Sequence, residues 1–172
     1  MIPADVRNVR RFTAAERRAY ERSNAILDPA IDLTPEMQFQ AGILQEALQA
    51  ADRERVRDAC QEMLILLADA AAIPRPLFRL KDTAYAKFRR GRAVWKLYGT
   101  CDPDGTITVA FKTAVRRKVF AFLTFFDTLV HEFMHHYDAK KLRLIRSFDT
   151  RGFYLRTRAL RDALISAVPA AR

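Results

Sequence analysis

The sequence predicts an α+β fold, and three observations carry that reading. Apolar residues recur at helical spacing through the first 72 positions, alternation of period two appears between Trp95 and Lys112, and a long helical pattern returns after Val119. With 172 residues, half of them hydrophobic, the chain is long enough for one domain with its own core and short for two. The expected order is helices over residues 1–72, then a core over 77–168 made of a small antiparallel sheet, a central helix and a C-terminal helix.

Each element has a local reason. Thr13 with Glu16 forms a capping box that opens a helix to about Leu27, where Asp28-Pro29 closes it. Thr34-Pro35 opens a second, with Met37, Ala41, Leu44 and Leu48 on one face. A third starts near Asp52, and Val56, Cys60, Met63, Leu64, Leu67 and Ala71 repeat at helical spacing until Pro74. The second and third helices are expected to form a hairpin packed on the rest, and Pro74–Pro76 is too short to separate domains. Leu77–Leu80 reads as a short strand, followed by a basic helix or loop through Lys87–Arg92. Trp95–Cys101 and Thr106–Lys112 read as a β-hairpin around Asp102-Pro103-Asp104-Gly105, a composition suited to a type I turn. Ile107, Val109 and Phe111 alternate with Thr108, Ala110 and Lys112, so one face of that strand is buried. Trp95 is expected to anchor the sheet.

Charge is unevenly distributed. Residues 1–72 carry nine basic and twelve acidic side chains, a balance of −3, whereas residues 73–172 carry 21 and eight, a balance of +13. Basic clusters fall at Lys87–Arg92, Arg116–Lys118, Lys140–Arg146 and Arg151–Arg161. Such an excess suits phosphate backbones or acidic partners, and equally a solvated surface in an Arg-rich chain. The N-terminal segment Met1–Asn8 has charge and no apolar stretch of the kind a secretory signal needs, and no run reaches membrane-spanning length. Cys60 and Cys101 stand far apart without a C-x-x-C, which suits a reducing compartment and argues against a structural zinc module. A soluble, cytoplasmic protein without a membrane partner is the expectation.

The chemistry concentrates in Thr128–Asp138, T-L-V-H-E-F-M-H-H-Y-D, which contains H-E-x-x-H as His131, Glu132 and His135. On a helix, residues four apart share a face, so two imidazoles can converge on one ion with a carboxylate at its side. Neutral imidazoles suit Zn²⁺, a catalytic site takes three protein ligands, and the ion acidifies a water molecule. Glu132 is the candidate general base. Val119, Phe122, Leu123, Phe126, Leu129, Val130, Phe133, Met134 and Tyr137 make most of this helix apolar, as in any core element. Thr124, Asp127 or Thr128, His131, His135 and Asp138 nevertheless form a polar stripe, costly to bury without a purpose.

All three His lie in this stretch and no Glu follows Glu132, so a third ligand from a downstream His or Glu is unavailable. A metzincin pattern would have Gly and His where Asp138 and Lys141 stand, and is excluded. Asp138, Asp149 and Asp162 remain, with His136 and Tyr154 as outside choices. Asp138 lies two turns along from His131, a better place for a hydrogen bond to a ligand imidazole than for ligation. His136 turns away from His135, toward a supporting hydrogen bond. Asp149, Ser147 or Thr150 could instead cap the last helix.

The H-E-F-x-H-H-Y-D core, followed by T-x-G-F-Y-x-R opening a new helix, resembles the SprT-like group of minimal zinc metallopeptidases and related bacterial metallopeptidases. The resemblance covers roughly Trp95–Leu160 and implies a minimal zincin-like fold. In that group the third ligand is usually a His near the start of the following helix, and that place falls on Asp149, which adds a negative charge and shortens the reach. The strand Thr106–Lys112 precedes the active helix closely, as the edge strand does in zinc peptidases. An exposed edge there could hold peptide by main-chain pairing; an ordinary sheet strand is the alternative. Tyr154, five residues past Asp149, could donate to the oxyanion formed when water attacks a carbonyl. The expected activity is zinc-dependent hydrolysis of peptide bonds in a protein or peptide substrate. Contact with DNA through the basic half ranks below it. The alternative is a catalytically degenerate protein of the same fold that binds DNA or an acidic protein; a metal hydrolase acting on another bond is a third.

Overall fold

The computed structural model describes residues 11–90 and 92–168. The segment Met1–Asn8 read above for signal character, and the side chain of Trp95, lie outside what is described. Among the described residues three helices come first: α1 (Ala14–Ala25), α2 (Pro35–Gln49) and α3 (Arg53–Ala70). Their starts follow local chemistry. Thr13 and Glu16 make the reciprocal capping box, and the Thr34 and Asp52 side chains accept from Met37 N–H and Arg55 N–H. Helices α2 and α3 pack as a hairpin through Met37, Ala41, Leu44, Leu48, Val56, Cys60, Met63, Leu64 and Leu67, all buried.

Five strands follow: β1 (Phe78–Thr83), β2 (Tyr85–Arg89), β3 (Arg92–Leu97), β4 (Gly99–Cys101) and β5 (Ile107–Lys112). They form a three-stranded sheet of order β1-β5-β4 and a separate β2–β3 ribbon. The sheet is mixed rather than antiparallel, because β1 runs parallel to β5 with Phe78 opposite Ile107. A tight turn at Asp102–Thr106 forces β4 antiparallel to β5, whereas the long excursion through β2 and β3 leaves β1 free to enter in the same direction. The expected basic helix or loop at Lys87–Arg92 is instead the tip of the β2–β3 ribbon. Both faces of β2 are largely exposed, so cross-strand pairing rather than burial holds it and no apolar alternation announces it. The run Trp95–Cys101 divides at Tyr98: its first part pairs with β2 and its second with β5. Strand β5 is therefore central rather than the edge strand expected of Thr106–Lys112, because β1 and β4 pair with it on either side, and β4 is the edge on the side of the next helix.

That helix, α4 (Phe122–Lys140), is the centre of the molecule. Phe125, Phe126, Leu129, Val130, Phe133, Met134 and Tyr137 are buried in one core with α2, α3, β5 and α5 (Arg151–Ile165). Among the described residues no helix is long and apolar enough to cross a membrane. Helix α5 approaches the end of α1 so closely that a Cβ at Gly152 would lie 2.4 Å from the Asn24 carbonyl oxygen. Position 152 must be glycine for this crossing to exist.

Candidate metal centre

Helical spacing puts His131 and His135 on one face of α4, with ring centroids 4.7 Å apart and planes at 81°. Phe153 of α5, fully buried, supports both: its ring stacks on His135 at 4.5 Å and stands edge-on to His131 at 5.0 Å. Asp149 arrives from the loop between α4 and α5, pinned on either side. Phe148 plugs a small apolar cluster with Phe12, Ala19, Tyr20 and Leu144, and Thr150 caps α5 by accepting from Phe153 N–H. Thr150, rather than Asp149 or Ser147, is the N-cap, which leaves the Asp149 carboxylate to face the histidines.

The resulting triangle has a metal-like size. His131 Nε2 and His135 Nε2 are 3.1 Å apart, and Asp149 Oδ1 lies 3.3 Å from His135 Nε2 and 3.7 Å from His131 Nε2. Tetrahedral coordination with bonds of about 2.0–2.2 Å requires ligand-to-ligand edges of about 3.3–3.6 Å. His131, His135 and Asp149 could therefore hold a metal ion. Two imidazoles and a carboxylate suit zinc and other first-row divalent ions alike.

Proton accounting on His135 supports the same use. Arg156 is fully buried, and its Nη2 donates to both Asp138 oxygens at 2.7 and 2.6 Å. Burial pushes the Asp138 carboxyl above its ordinary value, while Arg156, which cannot give up its charge, pulls the other way; neutralising Asp138 would strand a buried cation. Ser147 Oγ donates its single proton to Asp138 Oδ2 at 2.8 Å, so toward His135 Nδ1, 2.7 Å away, it can only accept. Nδ1 then carries a proton, and in the neutral ring this leaves Nε2 a lone pair toward the triangle. Asp138 thus meets the imidazole through Ser147 rather than by the direct contact its position in the stripe suggested. His131 is pushed down to about 4, chiefly by burial and then by His135, so it is neutral at pH 7. His131 Nε2 and His135 Nε2 thus face each other and the Asp149 carboxylate across the triangle.

Glu132 sits at the edge of this triangle, buried, with its carboxyl raised to about 7 by burial above all. The cleft in front of it is bounded by Gly99, Cys101 and Asp102 on one wall and by Ser147 and Arg146 on the other. Tyr154 reaches the site from α5: its hydroxyl lies 3.4 Å from Asp149 Oδ2 and its ring 6.1 Å from that of His131.

Other candidates lie elsewhere. His136 is not in the triangle, its Nε2 donating to the Pro74 carbonyl at 2.8 Å. Asp162 pairs with Arg158 and Arg161 on the surface. Ser147, Phe153, Arg156 and Gly99 carry structural parts of the site that sequence reasoning did not assign. Only the adjacency of Gly152, Phe153 and Arg156 in the segment after Asp149 offered a signal for any of them. Comparisons with protein-family models, with curated proteins and with solved structures find no match to this chain.

Proposed function

We propose that the chain is a zinc-dependent metallopeptidase, in which His131, His135 and Asp149 hold the ion and Glu132 is the general base. The observation that carries this reading is the triangle of two imidazole nitrogens and a carboxylate oxygen with a buried Glu beside it. Zinc held there supplies an acidified water and polarises a carbonyl. Glu132 accepts the water proton at its carboxylate and returns it to the leaving amine nitrogen. Tyr154, whose O–H donates to Asp149 Oδ2 at 3.4 Å, would serve the developing oxyanion by turning from that bond.

An extended peptide would lie along β4. Tyr98, Thr100 and Asp102 turn their main-chain groups toward β5, so Gly99 and Cys101 turn theirs outward, past Glu132. Among the described residues these outward groups pair with no backbone, and an extended chain could add to them as a further strand. Main-chain pairing orients an amide with little demand on its sequence.

A second reading is nucleic-acid contact by the β2–β3 ribbon, which exposes Lys87, Phe88, Arg89, Arg90 and Lys96. Cations interleaved with an aromatic suit a phosphate backbone with a base stacked on it. Binding of an unrelated duplex or single strand that weakens steeply with salt supports this; none at low salt removes it.

The decisive test of the first reading is metal content by elemental mass spectrometry on wild type, His135→Ala and Asp149→Ala purified without chelator. One zinc per wild-type chain, lost in the first variant and reduced in the second, is expected, together with chelator-sensitive cleavage of an unfolded protein substrate. A wild type that takes up no metal even when zinc is offered overturns it.

A further inference from the structure

Arg156 connects parts of the chain that are remote in sequence. Its Nη1 donates to the carbonyls of Ser23 and Ile26 at 2.7 and 3.1 Å, and its Nη2 to Ser23 Oγ at 3.0 Å, besides the two bonds to Asp138. Thr150, the cap next to Asp149, shares a hydrogen bond of 3.2 Å with the same Ser23 hydroxyl. A buried cation thus bridges the end of α1, the last turn of α4 and the start of α5. A buried ion pair that merely stabilised the fold would have no need of Ser147, whose hydroxyl comes from an irregular loop and lies between Asp138 and His135.

We infer that Arg156, Asp138 and Ser147 form a positioning relay, in which the hydroxyl of Ser147 fixes His135 as the Nδ1-protonated tautomer and turns its bare Nε2 toward the metal triangle. Neutral histidine in water favours the other tautomer, with the proton on Nε2, and that form would aim an N–H at the ion. The relay replaces the direct carboxylate contact common for ligand imidazoles by one hydroxyl, which can only accept once Asp138 has taken its proton. The inference rests on the metal reading and assigns α1 a part in it: the helix end supplies three of the acceptors that hold Arg156 in place.

The relay is tested on the full chain with wild type, Ser147→Ala and Ser147→Thr. Long-range ¹H–¹⁵N spectra of the metal-free protein read the tautomer directly, and competition with a chromogenic chelator reads zinc affinity. Expected are an Nδ1-protonated His135 in wild type, a shift toward the Nε2-protonated form in Ser147→Ala, and zinc binding weaker by about 10–100-fold in that variant. Ser147→Thr, which keeps the hydroxyl, is expected to restore most of both. Wild-type His135 protonated on Nε2, or zinc affinity within twofold of wild type in Ser147→Ala, overturns the relay while leaving the metal reading intact. The converse, an Nδ1-protonated His135 in a wild type that binds no zinc, upholds the relay's tautomer and overturns the metal reading. Circular dichroism of Ser147→Ala separates a lost hydrogen bond from a lost fold.

Discussion

A Cβ at Gly99 would stand 2.9 Å from Glu132 Cγ and 3.1 Å from its Oε1, so edge strand β4 leaves room for that carboxylate only because residue 99 has no side chain. The same Cβ would meet Thr128 Cγ2 at 2.7 Å, which closes the escape on the other side. Gly99→Ala is therefore expected to displace Glu132 without touching a metal ligand. Zinc content should stay at the wild-type level while kcat falls by about 10–100-fold, the scale of a misplacement near 1 Å. Parallel metal analysis and peptide-cleavage assays check this, and unchanged turnover would remove Glu132 from the role of base.

Glu132→Gln should retain zinc and lose turnover, and its stability should change in a direction set by burial. The Glu132 carboxyl is raised from about 4.5 to about 7, so its protonated form stabilises the fold at low pH and that contribution is lost as the pH rises toward 7. Above that value metal-free wild type carries a buried charge that glutamine lacks. Metal-free Glu132→Gln is expected to be the more stable protein at pH 8, by about 3 kcal/mol at most. The gap should close as the pH falls to about 4.5. Urea titrations of both chelator-treated proteins across this range read the difference.

At Gly152 a Cβ would meet the carbonyl oxygens of Asn24 and Ser23 at 2.4 and 2.6 Å. Both obstacles are backbone at the end of α1, which cannot swing away as a side chain can. Gly152→Ala is expected to cost about 3 kcal/mol, which lowers Tm by about 6–12 °C in a chain of this size. Because Thr150 and Ser23 share a hydrogen bond, the Asp149 loop moves with this contact, and zinc affinity should fall along with Tm.

The Glu16 carboxyl is held below its ordinary value, first by the Thr13 backbone N–H and then by the Thr13 hydroxyl. A lowered value means that the contribution to α1 is present above the range of an unfolded glutamate and is lost as the pH falls through the folded one. In Thr13→Ala the backbone bond survives and the hydroxyl is gone, so the Glu16 titration followed by NMR should move part of the way back toward normal. A titration that does not move would show that the hydroxyl has no part in the shift.

Much of the helical frame was legible because its signals are local. Thr13, Thr34 and Asp52 cap the helices they were expected to open, and the apolar spacing of α2, α3 and α4 names most residues that are buried. Strands β1 and β5 were legible from short apolar runs, although Ala110, expected on the exposed face of β5, is buried with Val109 and Phe111. The β2–β3 ribbon, exposed on most of its surface, carries no such imprint, and the parallel entry of β1 depends on a pairing 29 residues apart, Phe78 with Ile107. In the site, His131, Glu132 and His135 could be named together because one helix turn brings them together, whatever surrounds it.

What the sequence determined by itself is therefore the set of groups within reach of one another along a single element: the caps, the helix faces and the two histidines with their glutamate. What only the tertiary structure decided is which distant groups meet them. Asp149 reaches the histidines because Phe148 is buried and Thr150 caps α5; Ser147 sits between Asp138 and His135; Arg156 is enclosed by the end of α1; and Gly99 makes room for Glu132. The physical reason is that hydrogen bonds and ligand triangles need ångström-scale placement, and between segments far apart in sequence that placement comes from packing of the whole core.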